Sequence, residues 1–80
     1  MSPIRPRAVV SAKTLRLLVI HQLWARPEHR NIDVAIVPQP IDNDGCNWRV
    51  EAVKGRVDDY AESLLTQIWR RLSVSFNLID

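Results

Sequence analysis

Residues 41–46 read Ile41-Asp42-Asn43-Asp44-Gly45-Cys46 and separate two alternating apolar runs. Ile32, Val34 and Ile36 mark the first run; Trp48, Val50 and Ala52 mark the second. Alternation at a period of two is the pattern of a half-buried strand, and a short polar segment containing glycine between two such runs signals a β-hairpin. Asn43-Asp44-Gly45 suits a three-residue loop, a type I turn followed by a left-handed glycine, closing on Asp42 and Cys46. Counting back from that closure sets Ile36 opposite Ala52 and Pro38 opposite Val50. The even-numbered residues of both strands then share one face, whereas a two-residue loop would slip the register by one and split them. The strands are expected over about 32–37 and 47–54, ended by Pro38 and Pro40 on one side and by Gly55 on the other.

Both flanks of the hairpin read as helices. The first is expected from about Ser11, whose hydroxyl can cap the first turn, to Ala25, because Pro27 disfavours helical geometry at Arg26. Ala12, Leu15, Val19 and Leu23 form one apolar stripe at helical spacing. Leu17, Ile20 and Trp24 form a second on nearly the opposite side, one more than a surface helix needs. The β-prone run Leu17-Leu18-Val19-Ile20 makes a strand the alternative there. Pro27 to Asn31 is a polar connection. The second helix starts near Asp58 or Asp59, with Asp59 and Glu62 at capping-box spacing. Ala61, Leu64, Leu65, Ile68, Trp69, Leu72 and Phe76 recur at three and four, and Arg70 and Arg71 suit the negative end of the helix dipole. The order is α-β-β-α. This is the pattern of a small α+β domain whose antiparallel hairpin carries both helices on its even-numbered face. A two-stranded sheet is marginal alone and leaves both edges unpaired. A homodimer that completes a four-stranded sheet is therefore expected. Antiparallel pairing of the second strand with its own copy about Val50 would set Arg49 opposite Glu51.

Eighty residues make one domain near the lower size limit for a self-sufficient core. One cysteine permits no intrachain disulfide, and Cys46, His21 and His29 lack zinc-site spacing. The net charge is +2. Arg5 and Arg7 account for it, and they lie in the proline-containing opening Ser2-Pro3-Ile4-Arg5-Pro6-Arg7. Residues 1–10 are expected to form a mobile or extended basic arm and residues 11–80 an electrically balanced domain. The longest aliphatic run, Leu17 to Ile20, is far shorter than the ~20 residues of a membrane span or the ~7–15 of a signal-peptide core. With a single free cysteine, this points to a soluble, cytoplasmic protein.

No residue constellation calls for a chemistry. Asp42-Asn43-Asp44-Gly45 resembles part of a calcium loop, and Glu51 falls at its twelfth position, but the first position is Pro40, which has no ligand. Asn, Asp and Gly are ordinary turn formers. His21 and His29 are bases by residue type only, with no nucleophile or carboxylate at an orienting spacing. Cys46 follows the turn glycine, where sequence shows no cation or helix N-terminus to activate it. No metal, cofactor or catalytic residue is assigned. Trp48 and Trp69 read as core. Trp24, with Leu17 and Ile20, is the candidate partner-binding surface, since exposed tryptophan concentrates at interfaces.

A family of short uncharacterised bacterial proteins shares a leading helix ending in an Arg-Pro step, a strand, an Asn-Trp step opening the second strand, and a closing helix with an aromatic-x-Leu ending. Residues 15–79 resemble it through Arg26-Pro27, Asn47-Trp48 and Phe76-Asn77-Leu78. The usual ending has Tyr and Asp where this chain has Phe76 and Asn77. The resemblance implies an α-β-β-α fold and transfers no functional residue. The function expected is a small non-catalytic protein-interaction or regulatory module. The alternative is a nucleic-acid-binding module using Arg5, Arg7, Lys13 and Arg16, which a basic arm running onto the first helix would present to phosphates.

Overall fold

A computed structural model describes residues 7–79. Strand β1 (Ala8–Val10) leads into helix α1 (Ala12–Leu23), followed by a 3₁₀ turn at Pro27–His29, strands β2 (Asp33–Pro38) and β3 (Trp48–Lys54), helix α2 (Asp59–Ser73) and strand β4 (Phe76–Leu78). The core is α-β-β-α, an antiparallel β2–β3 hairpin covered by two helices. No helix among the described residues is long and apolar enough to cross a membrane.

The helix termini follow from local chemistry. Ser11 Oγ accepts from the Thr14 amide at 3.2 Å, and α1 stops at Leu23 with the Trp24 N–H bonded to the Ile20 carbonyl. The segment 17–20 is helical, so the strand alternative does not hold there. At α2 the cap is Asp58, whose carboxylate accepts from the Ala61 amide at 2.8 Å; Asp59 and Glu62 lie in the first turn, on the positive end of the dipole.

The loop closes as expected on Asp42 and Cys46. The Asp42 N–H donates to the Cys46 carbonyl and the Gly45 N–H to the Asp42 carbonyl, both at 3.0 Å. The Asp42 carboxylate accepts from the Asp44 and Cys46 amides, and Gly45 sits at φ +88°, where a side chain would be strained. The strand register nevertheless differs from the expected one. Ile36 lies opposite Val50 and Pro38 opposite Trp48. The cause is one step above the loop, where the Gln39 N–H already bonds the Asn47 carbonyl. Pro40 and Ile41 have no counterparts on the other side and are looped out, with Ile41 exposed. The slip is two residues, so it preserves the faces. Pro38 is also the last residue of β2 rather than the residue that ends it.

The core joins Leu15, Val19, Ile20 and Leu23 of α1 to Val34 and Trp48 of the hairpin, Ala61, Ile68 and Leu72 of α2, and Ile32, Cys46 and Leu78. α1 lies on β2, α2 lies on β3, and the helices touch each other. Trp48 is fully buried and donates its indole N–H to the Phe76 carbonyl at 3.0 Å.

Two expectations for the chain ends change. The described part of the expected arm is structured, because Ala8, Val9 and Val10 pair in parallel with Phe76, Asn77 and Leu78. Arg7 is held as well, by the Ser73 and Asp44 carbonyls. Residues 1–6 of that arm, Arg5 included, lie outside the described residues. Phe76 is not on α2. The helix ends at Ser73, the Ser75 N–H turns back to the Leu72 carbonyl, and Phe76 opens β4. Its spacing four after Leu72 mimics a helical repeat while its side chain reaches the same core from a strand.

Candidate functional site

A two-stranded sheet exposes two rows of backbone groups, and the two edges of this hairpin are treated differently. The Gln39–Asn47 bond sets the phase: pairs 37/49 and 35/51 exchange hydrogen bonds, and pairs 38/48, 36/50 and 34/52 do not. The N–H and C=O groups of these last residues point outward. On the β2 side some of them are occupied. The Trp24 indole N–H donates to the Ile32 carbonyl at 2.7 Å, just before β2 begins. The Asp33 carboxylate accepts the Val34 N–H at 2.8 Å and is itself held by Arg16 at 2.6 Å. Pro38 has no N–H to offer. Both backbone groups of Ile36 and the carbonyls of Val34 and Pro38 remain. Capping an edge with side chains and proline is how sheets resist unwanted pairing.

On the β3 side the Trp48 carbonyl is occupied, by the Trp69 indole N–H at 3.0 Å and the Cys46 thiol at 3.1 Å. Beyond it, the outward backbone groups of Val50 and Ala52 bond to nothing among the described residues. Alongside them α2 and β3 leave a cleft of about 590 Å³, with Val50, Ala52, Leu65 and Trp69 as its apolar wall and Arg49 and Glu62 as its charges. Open backbone groups beside an apolar cleft can receive an extended chain: the backbone bonds supply affinity and the cleft reads alternate side chains.

The sequence-derived candidates fall into three places. Arg49 and Glu51 are together on the outer face of β3, paired within the strand at 2.9 Å and about half exposed. Leu17, Ile20 and Trp24 are also brought together, in a shallow depression with His21, Ala25 and Arg30. Within it, Leu17 is exposed, Ile20 is buried in the core, and Trp24 is half-buried with its indole N–H spent on β2. The second stripe of α1 is thus largely used by the fold. Of the basic set, Arg7 and Arg16 are engaged by acceptors of the chain itself, and Lys13 is exposed.

The other titratable groups have structural surroundings. Asp42 spends its carboxylate on the loop amides. No group of three His, Cys, Asp or Glu side chains that could hold a metal ion occurs among the described residues. Cys46 is buried, and that burial pushes its thiol pKa up, which favours the protonated thiol donating to Trp48. His29 is buried beside the Tyr60 ring, which also lies under the Arg26 guanidinium; its Nδ1 has no hydrogen-bond partner among the described residues. His21 is exposed on α1.

Sequence reasoning placed Arg49, Glu51 and Val50 on the relevant strand but missed what makes that strand special. Asp33 and the indole of Trp24 act on β2, the opposite edge, by blunting its start. Arg16 contributes through Asp33, whose carboxyl it holds below the usual carboxylate range together with the Val34 amide. The legible signals were the Asp immediately before an apolar strand and the tryptophan one turn before a Pro. The likeness to short bacterial proteins rests on the Arg26-Pro27, Asn47-Trp48 and Phe76-Asn77-Leu78 steps alone. The chain matches no protein-family model, and no curated protein or solved structure is significantly similar to it.

Proposed function

We propose that this chain is a small protein-interaction module that receives an extended segment along β3, with binding rather than chemistry as its task. One observation carries the reading: Trp24, Asp33 and Pro38 blunt the β2 edge around Ile36, whereas the Val50–Ala52 stretch of β3 is open beside an apolar cleft. A protein that only needed protection from aggregation would gain by blunting both edges. Blunting concentrated on one edge, with the apolar cleft on the other, favours β3 as the productive surface. The bond pattern also states what the partner must offer, namely an extended backbone with apolar side chains at alternate positions.

The test is selection of peptides from a random library against the full chain, followed by amide chemical-shift mapping. Selected peptides are expected to alternate apolar and polar residues and to shift the Val50, Ala52, Leu65 and Trp69 amides. Val50→Pro removes one outward N–H without touching a β2–β3 bond and is expected to abolish their binding. Selected peptides that map to Leu17 and Trp24 instead, or that bind the Val50→Pro variant equally well, would refute the reading.

A further inference from the structure

We propose that the occupant of the β3 edge is a second copy of this chain, joined antiparallel about a two-fold axis beside Val50. The proposal rests on the reading of β3 as the interaction edge and names its partner. Three features of the surface are self-complementary about that one axis.

The first is the backbone. Val50 presents both its N–H and its C=O outward, so two copies related by a two-fold at Val50 satisfy each other there, as antiparallel pairing requires. The Trp48 carbonyl already accepts from Trp69 and Cys46, so the paired stretch is short and centred on Val50.

The second is charge on the outer face. Arg49 and Glu51 flank Val50 and alternate in sign. About an axis at Val50, Arg49 of each copy faces Glu51 of the other, giving two attractive cross-strand pairs. Sliding one copy by two residues keeps the hydrogen-bond phase but sets the two Glu51 side chains opposite each other. Charge therefore selects the Val50 register over its neighbour.

The third is α2, which no argument about the strand requires. Glu62 and Thr66 lie on the cleft side of the helix, above Val50 and Ala52, and Arg70 continues that stripe one turn on. The same two-fold sets the α2 helices of the two copies side by side in one layer and antiparallel. With Thr66 at the middle of the stripe, Glu62 of one copy meets Arg70 of the other. Paired strands stand ~4.8 Å apart while helix axes pack at ~8–10 Å, so each α2 must lie set back from the axis over its own hairpin for the strands to pair. The interface is then both strand against strand and helix against helix, and the cleft is covered from above.

The experiment is sedimentation velocity on the full chain from micromolar to millimolar concentration, with three sets of variants. The wild type is expected to reach twice the monomer mass, and Val50→Pro to remain monomeric with its helical circular dichroism intact. Glu51→Arg turns both cross-strand pairs repulsive and is expected to weaken the dimer about tenfold, with the Arg49→Glu/Glu51→Arg double variant restoring it. The double variant keeps the test valid if proline at position 50 disturbs the fold. Thr66→Cys is expected to form a disulfide-linked dimer under mild oxidation, and Leu17→Cys is not. A chain that stays monomeric but still takes selected peptides at β3 overturns the second copy and leaves the interaction reading standing. A dimer indifferent to Val50→Pro and Glu51→Arg overturns this interface, and loss of both dimer and peptide binding overturns both readings.

Discussion

Trp24→Phe isolates the closure of the β2 edge. The substitution keeps an aromatic ring in the half-buried site and deletes the N–H that donates to the Ile32 carbonyl at 2.7 Å. A net intramolecular hydrogen bond contributes about 0.5–1.5 kcal/mol. Ile32 is buried, so its carbonyl is left with little access to water and the upper part of that range applies; about 1.5 kcal/mol lowers Tm by ~6–12 °C for a domain of this size. Trp24→Ala removes the packing as well, and truncation of a large aromatic costs ~3–5 kcal/mol when fully buried, so a half-buried ring falls below that range. The assay is thermal unfolding by circular dichroism of wild type, Trp24→Phe and Trp24→Ala. It is paired with light scattering, since an uncapped β2 edge is expected to add strand pairing and produce larger species. A Trp24→Phe protein with wild-type Tm and wild-type mass distribution would refute the argument that this indole closes the edge.

Four further outcomes follow from named contacts. Asp33 has a folded-state pKa below its ordinary value of 3.8, set first by Arg16 and then by the Val34 amide. Its contribution to stability is present above that ordinary value and is lost as pH falls through the lower folded value, so Asp33→Asn is expected to lower Tm at neutral pH, to leave it nearly unchanged at the acid end, and so to flatten the acid limb of a Tm–pH profile. Gly55→Ala, at φ +93° and with the new Cβ driven into the Asn31 carbonyl, is expected to destabilise more than Gly45→Ala, whose Cβ meets only the movable end of Arg7; chemical denaturation ranks them. Cys46 is expected to resist thiol reagents in the native state and to react on unfolding, as followed by mass spectrometry in a denaturant series. Asn47→Ala removes both bonds that hold Leu78, from its side-chain amide at 2.9 Å and to its carbonyl oxygen at 2.8 Å, and is expected to raise amide exchange selectively in β1 and β4.

The hairpin, its loop and both helices were legible because each is written in short-range signals. Asn43-Asp44-Gly45 specifies the loop, Ser11 caps α1, and the apolar period of α2 runs from Ala61 to Leu72. The register was misjudged because a loop rule assumes continuous strands, and Pro40 with Ile41 interrupts one of them. β1 and β4 were missed because three-residue strands carry too little pattern to read, and because their pairing joins opposite ends of the chain. The site was half legible. Arg49, Val50 and Glu51 could be placed on a strand from alternation, but an open edge is recognised only by comparison with a closed one. That closure depends on Trp24 and Arg16 crossing from a helix to a strand, a tertiary fact with no sequence period.

The parallel β1–β4 pair has a mechanical consequence. Ala8 lies beside Phe76 and Val10 beside Leu78, with both strands running the same way. Tension applied to the two chain ends pulls β1 by its N-terminal end and β4 by its C-terminal end, in opposite directions along their lengths. The pair is loaded in shear, so its bonds share the force instead of parting one at a time. The rest of the domain, hairpin and helices alike, lies between these two strands in the chain. A pull applied through the chain ends therefore reaches the hairpin and its β3 edge only after this clasp has failed.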